Sequence, residues 1–304
     1  MGLEGIHHIT AITGNAPRNV EFYVGVLGLR MVKKTVNQDD PSVYHLFYAD
    51  ERGRPGSDLT FFEYPGAGRG RAGAGMVHRI VWRVASAEAI DFWAGRLADH
   101  AVAGEAVDGR LRFNDPEGLA HELVVSEVDD EPLVGGAPDV PRELALQGFD
   151  GVRAYSHAPE RSEAMLGALG FTGGQDGAWE VRGKQRGGLF SYDPAPEARS
   201  LQGAGSVHHI AFNSAGEDQQ QWRRRLIEAG AAPTPVIDRF YFRSVYFREP
   251  SGVLFELASD GPGFAADEDP EHLGERLSLP PDFESLRDKI EPSLTPLPNP
   301  RARS

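Results

Sequence analysis

Apolar residues recur along the chain with two periods that alternate in a fixed order. GIHHIT, starting at Gly5, begins a strand whose residues alternate between two faces. Val20, Phe22, Tyr23, Val26 and Leu27 then fall on one side of a predicted helix, with Pro17 near its start and Gly28 at its end. YHLFYA and LTFFEY are strand-like runs separated by the turn-rich DERGRPGSD. The unit so predicted is β-α-β-β-β.

The same order returns near the C-terminal end. SVHHIAF opens a strand, and Gln219–Ala229 reads as a helix closed by Gly230. VIDRFYFRSVYFRE and VLFELA follow as strands around a Pro250-Ser251-Gly252 turn. His8 precedes Gly28 by 20 residues, and His209 precedes Gly230 by 21. Two weaker copies lie between, one opened by MVHRIVWRV and closed by DPEGLAHELVV, the other opened by FDGVRAYSH and closed by GGLFSYDP.

The fold class expected is α+β, built from four units at residues 5–66, 76–125, 146–195 and 205–259. The first two are expected to form an N-terminal pair, residues 1–125, and the last two a C-terminal pair, residues 146–259. The acidic segment 126–145 divides them, and RGRAGAG at 69–75 reads as a linker. An acidic, Pro-rich tail spans 260–304 and carries one helix candidate, PPDFESLRDKI, started by Pro281.

Composition narrows the chemistry. The chain of 304 residues has no Cys, which excludes disulfides, thiolate nucleophiles and Cys-ligated metals. Its formal net charge of −14 argues against nucleic acid and anionic membranes as partners. No signal segment and no membrane-spanning apolar run is read, so the cytoplasm is the expected location.

Four of the 10 histidines sit in two adjacent pairs, each at the start of a strand. Aligned across the four opening strands, the second residue of each pair falls at His8, Arg79, Gly151 and His209. The closing strands put Glu122 opposite Glu256, with Glu63 and Tyr192 near that place in the other two units. Units one and four together offer His8, His209 and Glu256. Two histidines and a carboxylate with open positions form the facial triad of non-haem Fe(II) oxygen chemistry. Strand alternation puts His8 and Thr10 on one face and His7 and Ile9 on the other.

With these residues the chain resembles the vicinal oxygen chelate superfamily of glyoxalases, bleomycin-resistance proteins and extradiol dioxygenases. GIHHITAITGNAPRNVEFYVGVLGLRMVKKTVN, the HHIAF repeat, RFYFRSVYFREPSGVLFELASD and EHLGERLSLPPDFESLR resemble its hydroquinone-type ring-cleaving dioxygenases, of the kind that open 2,6-dichlorohydroquinone. The resemblance implies two cup-shaped mixed sheets. It implies Fe(II), or Mn(II) in its place, on His8, His209 and Glu256. It also implies supporting roles for His7, Thr10, His208, Arg239 and Tyr246 around a small aromatic substrate opened with dioxygen. The middle units are then scaffold, and a homo-oligomer is expected.

Glu63 departs from that pattern. Two histidines and two glutamates are the set of glyoxalase I-like isomerases, so a Zn, Ni or Co isomerase or lyase with Glu63 as fourth ligand is the alternative. A non-catalytic aromatic- or drug-binding protein is a further one, and the intact triad counts against it. Glu122 reads as a solvated or outer carboxylate, and Phe22, Tyr23, Phe92 and Trp93 as core.

Overall fold

A computed structural model describes residues 2–214 and 218–300. The four expected units are present. The first has strands β1 (Ile6–Thr13), β2 (Arg30–Asn37), β3 (Asp40–Ala49) and β4 (Asp58–Glu63). The second has β5 (Met76–Val84), β6 (Gly104–Val107), β7 (Arg110–Asn114) and β8 (Ala120–Val125). The third has β9 (Phe149–Ser156), β10 (Thr172–Gly173), β11 (Ala178–Arg182) and β12 (Gly187–Pro194). The fourth has β13 (Val207–Asn213), β14 (Ile237–Asp238), β15 (Arg243–Arg248) and β16 (Leu254–Ala258).

Sheet partnership does not follow chain order. One 8-stranded sheet runs β14-β15-β16-β13-β1-β4-β3-β2, and the other runs β10-β11-β12-β9-β5-β8-β7-β6. The first and last units therefore share a sheet, and the two middle units share the second. In each sheet the two opening strands meet antiparallel at the centre, β1 with β13 and β5 with β9. Each opening strand also pairs in parallel with the closing strand of its own unit. A parallel pair needs a crossover, which the helix of each unit supplies.

The main core lies between the sheets. The helix Ala16–Val20 continues as a π-helix over Glu21–Val26, and Gly28 turns the chain at φ 68. Its Tyr23 is fully buried, packs on Tyr48 and Phe61 of the first sheet, and reaches His121 of the second. Phe190 and Phe212 join the sheets on the other side. A smaller apolar cluster, including Val32, Phe47, Ala211, Tyr241, Phe242 and Phe264, covers the opposite face of the first sheet.

The stretch VIDRFYFRSVYFRE is not one strand. β14 and β15 are separated by a turn in which Phe240 takes φ 66. That turn swings Arg239, Tyr241 and Phe242 over the outer face of the sheet. The tail candidate PPDFESLRDKI forms two short helices, Pro281–Glu284 and Arg287–Ile290, with Pro281 as first residue. Ahead of them the tail crosses the β2–β3 hairpin, where Phe264 packs on Phe47. Lys33 is fully buried there, and its Nζ donates to Asp267 at 2.7 Å and Glu268 at 2.5 Å. Among the described residues no helix is long and apolar enough to cross a membrane.

A buried ammonium that loses its partner keeps its desolvation cost. Asp267→Ala/Glu268→Ala, which removes both carboxylates from Lys33, is therefore expected to destabilise the fold by about 3 kcal/mol in urea unfolding. The exposed Glu105→Ala should stay within about 0.5 kcal/mol of the parent. Equal unfolding midpoints for the two variants would show that the tail does not clamp the hairpin.

Candidate metal centre

The paired histidines sit at two β-bulges. Along β1, Ile6 opposes Phe212 while His8 opposes Ala211, so His7 is an extra residue. Along β13, Thr10 opposes His209 while Ala11 opposes Val207, so His208 is the extra residue. A bulge lets two consecutive side chains point to one side. Ile6 and Ile9 both face the main core, and so do Val207 and Ile210. Between them both histidines of each pair turn to the outer face. The alternation expected from the sequence, with His7 on the face of Ile9, is corrected by that extra residue.

Three acceptor atoms converge there. His8 Nε2 and His209 Nε2 lie 3.2 and 2.9 Å from Glu256 Oε2, and 3.4 Å from each other. All three residues are buried, and they are the one such group of His and carboxylate ligands among the described residues. Ligand atoms about 2.1 Å from an ion and at right angles about it lie about 3.0 Å apart. The observed spacings therefore fit one face of an octahedral cation. Burial disfavours charge on Glu256, but His8 and His209 hold its carboxyl well below the usual range. Burial likewise opposes a charged His8, and Glu256 overrides it so that the pKa of His8 rises. Without a cation, a proton on His8 fills the gap.

The second histidine of each pair explains the doubling. His7 Nδ1 lies 2.9 Å from His8 Nδ1, and His208 Nδ1 lies 2.8 Å from His209 Nδ1. A neutral imidazole whose Nε2 lone pair faces a metal carries its proton on Nδ1. His8 and His209 then donate to their neighbours, which must accept. Burial and the adjacent His8 push His7 down to about 3, and burial and His209 push His208 down to about 4, so both are neutral acceptors. Such partners fix the ring orientation of a ligand. On Glu256, Oε1 accepts from Ser244 Oγ.

Glu63 is not part of the group. Glu256 pairs with Ala211, two residues after His209, and the corresponding residue two after His8 is Thr10, which pairs with Thr60. The register equivalent of Glu256 is thus a threonine, and Glu63 lies three residues beyond it. Its Oε1 instead accepts from Ala16 N at 2.8 Å and Thr295 Oγ1 at 3.0 Å, holding a helix start and the tail. The four-ligand alternative loses its fourth ligand.

In the second sheet the same register place holds Glu122, opposite Val81, and Ser191 rather than Tyr192, opposite Arg153. Glu122 is not solvated. It is buried against Arg79, Arg110 and Arg112 at 3.0, 2.8 and 2.7 Å.

The pocket over the metal centre is lined by Phe47, Phe62, Phe242, Tyr246, Arg239 and His45 among others. Tyr246 is opposite Glu256 on the neighbouring strand, and its ring centroid is 5.6 Å from that of His209. Burial and Glu256 push its hydroxyl up, so it stays protonated. The Arg239 guanidinium lies 5.5 Å from the Tyr246 ring centroid. Thr10 is fully buried behind the pocket and accepts from Thr60 Oγ1 at 2.9 Å. His208 is beside Phe62 at the rim.

His45 escaped the sequence reading. Its Nε2 is 2.9 Å from Thr60 Oγ1, and its ring packs, tilted, against Phe47 and Phe62 with centroids at 4.0 and 4.4 Å. Burial holds it well below its ordinary pKa. Only its place in YHLFYA, alternating with Phe47 on one face, could have signalled it.

His7→Ala and His208→Ala should each weaken metal affinity by about 10- to 100-fold in competition with a chelator. Glu63→Ala should leave affinity unchanged while costing about 1 kcal/mol of stability, as the loss of a buried hydrogen-bond acceptor does. Metal uptake displaces the proton of His8, whose pKa is raised. Apparent affinity should therefore fall about tenfold per pH unit below that pKa and level off above it. A flat profile would contradict a neutral His8 ligand.

Known proteins resemble this chain in sequence and in fold. The profile of the Glyoxalase/Bleomycin resistance protein/Dioxygenase superfamily matches residues 5–123 and 157–257. A Bacillus subtilis (strain 168) protein named "Putative ring-cleaving dioxygenase MhqO" is 40% identical over 96% of this chain and 96% of its own. The chlorohydroquinone/hydroquinone 1,2-dioxygenase of Sphingobium indicum is 35% identical over 95% of both chains. The crystal structure of a "putative dioxygenase" from Bacillus subtilis subsp. subtilis str. 168 superposes with a TM-score of 0.90, at 39% identity, over 97% of this chain and 98% of its own. Profile, relatives and fold agree, and the chain belongs to the Glyoxalase/Bleomycin resistance protein/Dioxygenase superfamily.

Proposed function

We propose that this protein opens a hydroquinone-type aromatic ring with dioxygen, using Fe(II) held by His8, His209 and Glu256. The observation that carries the reading is the convergence of two Nε2 atoms and one Oε2 atom within 3.4 Å beneath an aromatic-lined pocket. The activity named for the Sphingobium relative supports the substrate class. Mn(II) satisfies the same ligands. A bound Fe(II) would supply the one-electron coupling that a closed-shell ring and triplet oxygen lack.

The remaining work falls to side chains of this chain. Phe47, Phe62 and Phe242 form an apolar wall that excludes water and flattens the pocket around a ring. Tyr246, held protonated, donates a hydrogen bond to a ring oxygen. Arg239 places a fixed positive charge at the mouth, where a substrate oxyanion is stabilised. His45, neutral and buried, is placed to accept a proton from a ring hydroxyl at Nδ1 while Nε2 meets Thr60. His7 and His208 hold the ligand histidines in the tautomer that aims Nε2 inward.

The test is oxygen uptake by anaerobically Fe(II)-loaded protein offered hydroquinones and catechols in parallel. Uptake matched by ring-opened product from hydroquinones is expected. Tyr246→Phe should keep its metal and lose about 100-fold in kcat/KM. No uptake with any ring by metal-loaded protein would overturn the reading.

A further inference from the structure

The space over the metal centre amounts to about 40 Å³. A cavity that takes up benzene measures about 150 Å³. No aromatic ring enters the pocket as it stands, so part of its wall must move. Most of that wall belongs to the packed sheet. The exceptions are the β14–β15 turn, with Arg239, Tyr241 and Phe242, and Gln38 and Asp39 at the β2–β3 turn; Gln38, Asp39 and Arg239 form the mouth.

These two segments are clasped. Arg239 Nη1 and Nη2 each donate to an Asp39 carboxylate oxygen at 3.0 Å. Gln38 Nε2 donates to the Arg239 carbonyl at 2.7 Å. The clasp joins the unit that supplies His8 to the unit that supplies His209. Its two ends differ in kind. The Asp39 side chain is 73% exposed and that of Arg239 only 18%. Water can solvate Asp39 once released, whereas Arg239 is left half-desolvated with no anion beside it. Among the described residues Arg239 is also the only Arg or Lys lining the pocket. A pair with one exposed member is weak and readily exchanged. A ligand bringing its own anion restores the partner that Arg239 loses, and a neutral ring does not.

From this geometry we infer that Asp39 is a stand-in anion. It closes the empty pocket on Arg239, and the ionised oxygen of an incoming phenolic ring takes its place, so the pocket selects anionic over neutral rings. The inference rests on the ring-binding reading of the pocket.

The experiment measures binding, without oxygen. Zn(II)-loaded parent, Asp39→Asn and Asp40→Asn are titrated with 4-nitrophenolate and with the neutral 4-nitroanisole. Asp40 is the control, since its carboxylate meets Ser42 instead. Asp39→Asn should bind the phenolate about fivefold more tightly, with the phenolate-to-anisole preference rising, while Asp40→Asn stays at the parent value. A chelator should also strip Zn(II) several-fold faster from Asp39→Asn alone. Unchanged phenolate affinity and stripping rate in Asp39→Asn, or the same change in Asp40→Asn, would overturn the clasp. A clasp that behaves as expected on a protein that consumes no oxygen would sink the dioxygenase reading and leave this one standing.

Discussion

Three acceptor atoms held within 3.4 Å of one another in a dry pocket need a positive charge between them. Desolvation strips each of its water, and their mutual repulsion is poorly screened. The protein tolerates this because the group is built at the middle of an eight-stranded sheet, not on a loop. Ile9 and Ile210, both 0% exposed, anchor the same two strands in the core from the other side. Glu256 raises the pKa of His8, and His8 and His209 lower that of Glu256, so the group favours a positive charge at its centre. A divalent ion at this place would carry more charge than a proton, and its binding would then contribute to folding.

The two ligand histidines are 201 residues apart in sequence. Closing so long a loop costs little more than closing a short one, because the entropy grows only with the logarithm of length. The first and last units can thus share a sheet without a large thermodynamic penalty. Their junction, β1 against β13, is the seam on which the site is assembled. Everything that straddles the seam, including the histidine pairs and the Asp39–Arg239 clasp, exists only when the ends of the chain have met.

Much of this was legible in the sequence. The four units, the matched histidine pairs and the spacing of Glu256 all followed from periodicity and turn residues. What the sequence hid was cross-strand register. Alternation misplaced His7 and His208 because each is the extra residue of a bulge, and a bulge has no compositional mark in a run such as GIHHIT. Glu63 lies near the corresponding place in the first closing strand, while the pairing of Thr10 with Thr60 shows the true equivalent. Sharing of sheets between the first and last units is a property of contacts between distant segments, invisible to local patterns. His45 and Asp39 were missed for the same reason, since their meaning depends on what lies across from them.

The two sheets pose the same physical problem and solve it differently. Each buries a glutamate at the same register place, Glu256 in one and Glu122 in the other. Around Glu122 the counter-charge is covalently attached, as three guanidiniums that never lose their protons. Burial works against that carboxylate, and Arg110 and Arg112 hold its pKa down all the same. Such a centre is permanently neutralised and inert. Around Glu256 the neighbours are imidazoles, which give up their protons near neutrality and leave lone pairs behind. The counter-charge must then come from solution, and it comes with coordination positions to spare. Arg79 stands in place of His8 and Gly151 in place of His209, so the second sheet keeps the carboxylate and loses both imidazoles. Where the cation resides, on the chain or free, is what separates the scaffold half of this fold from the half that can do chemistry.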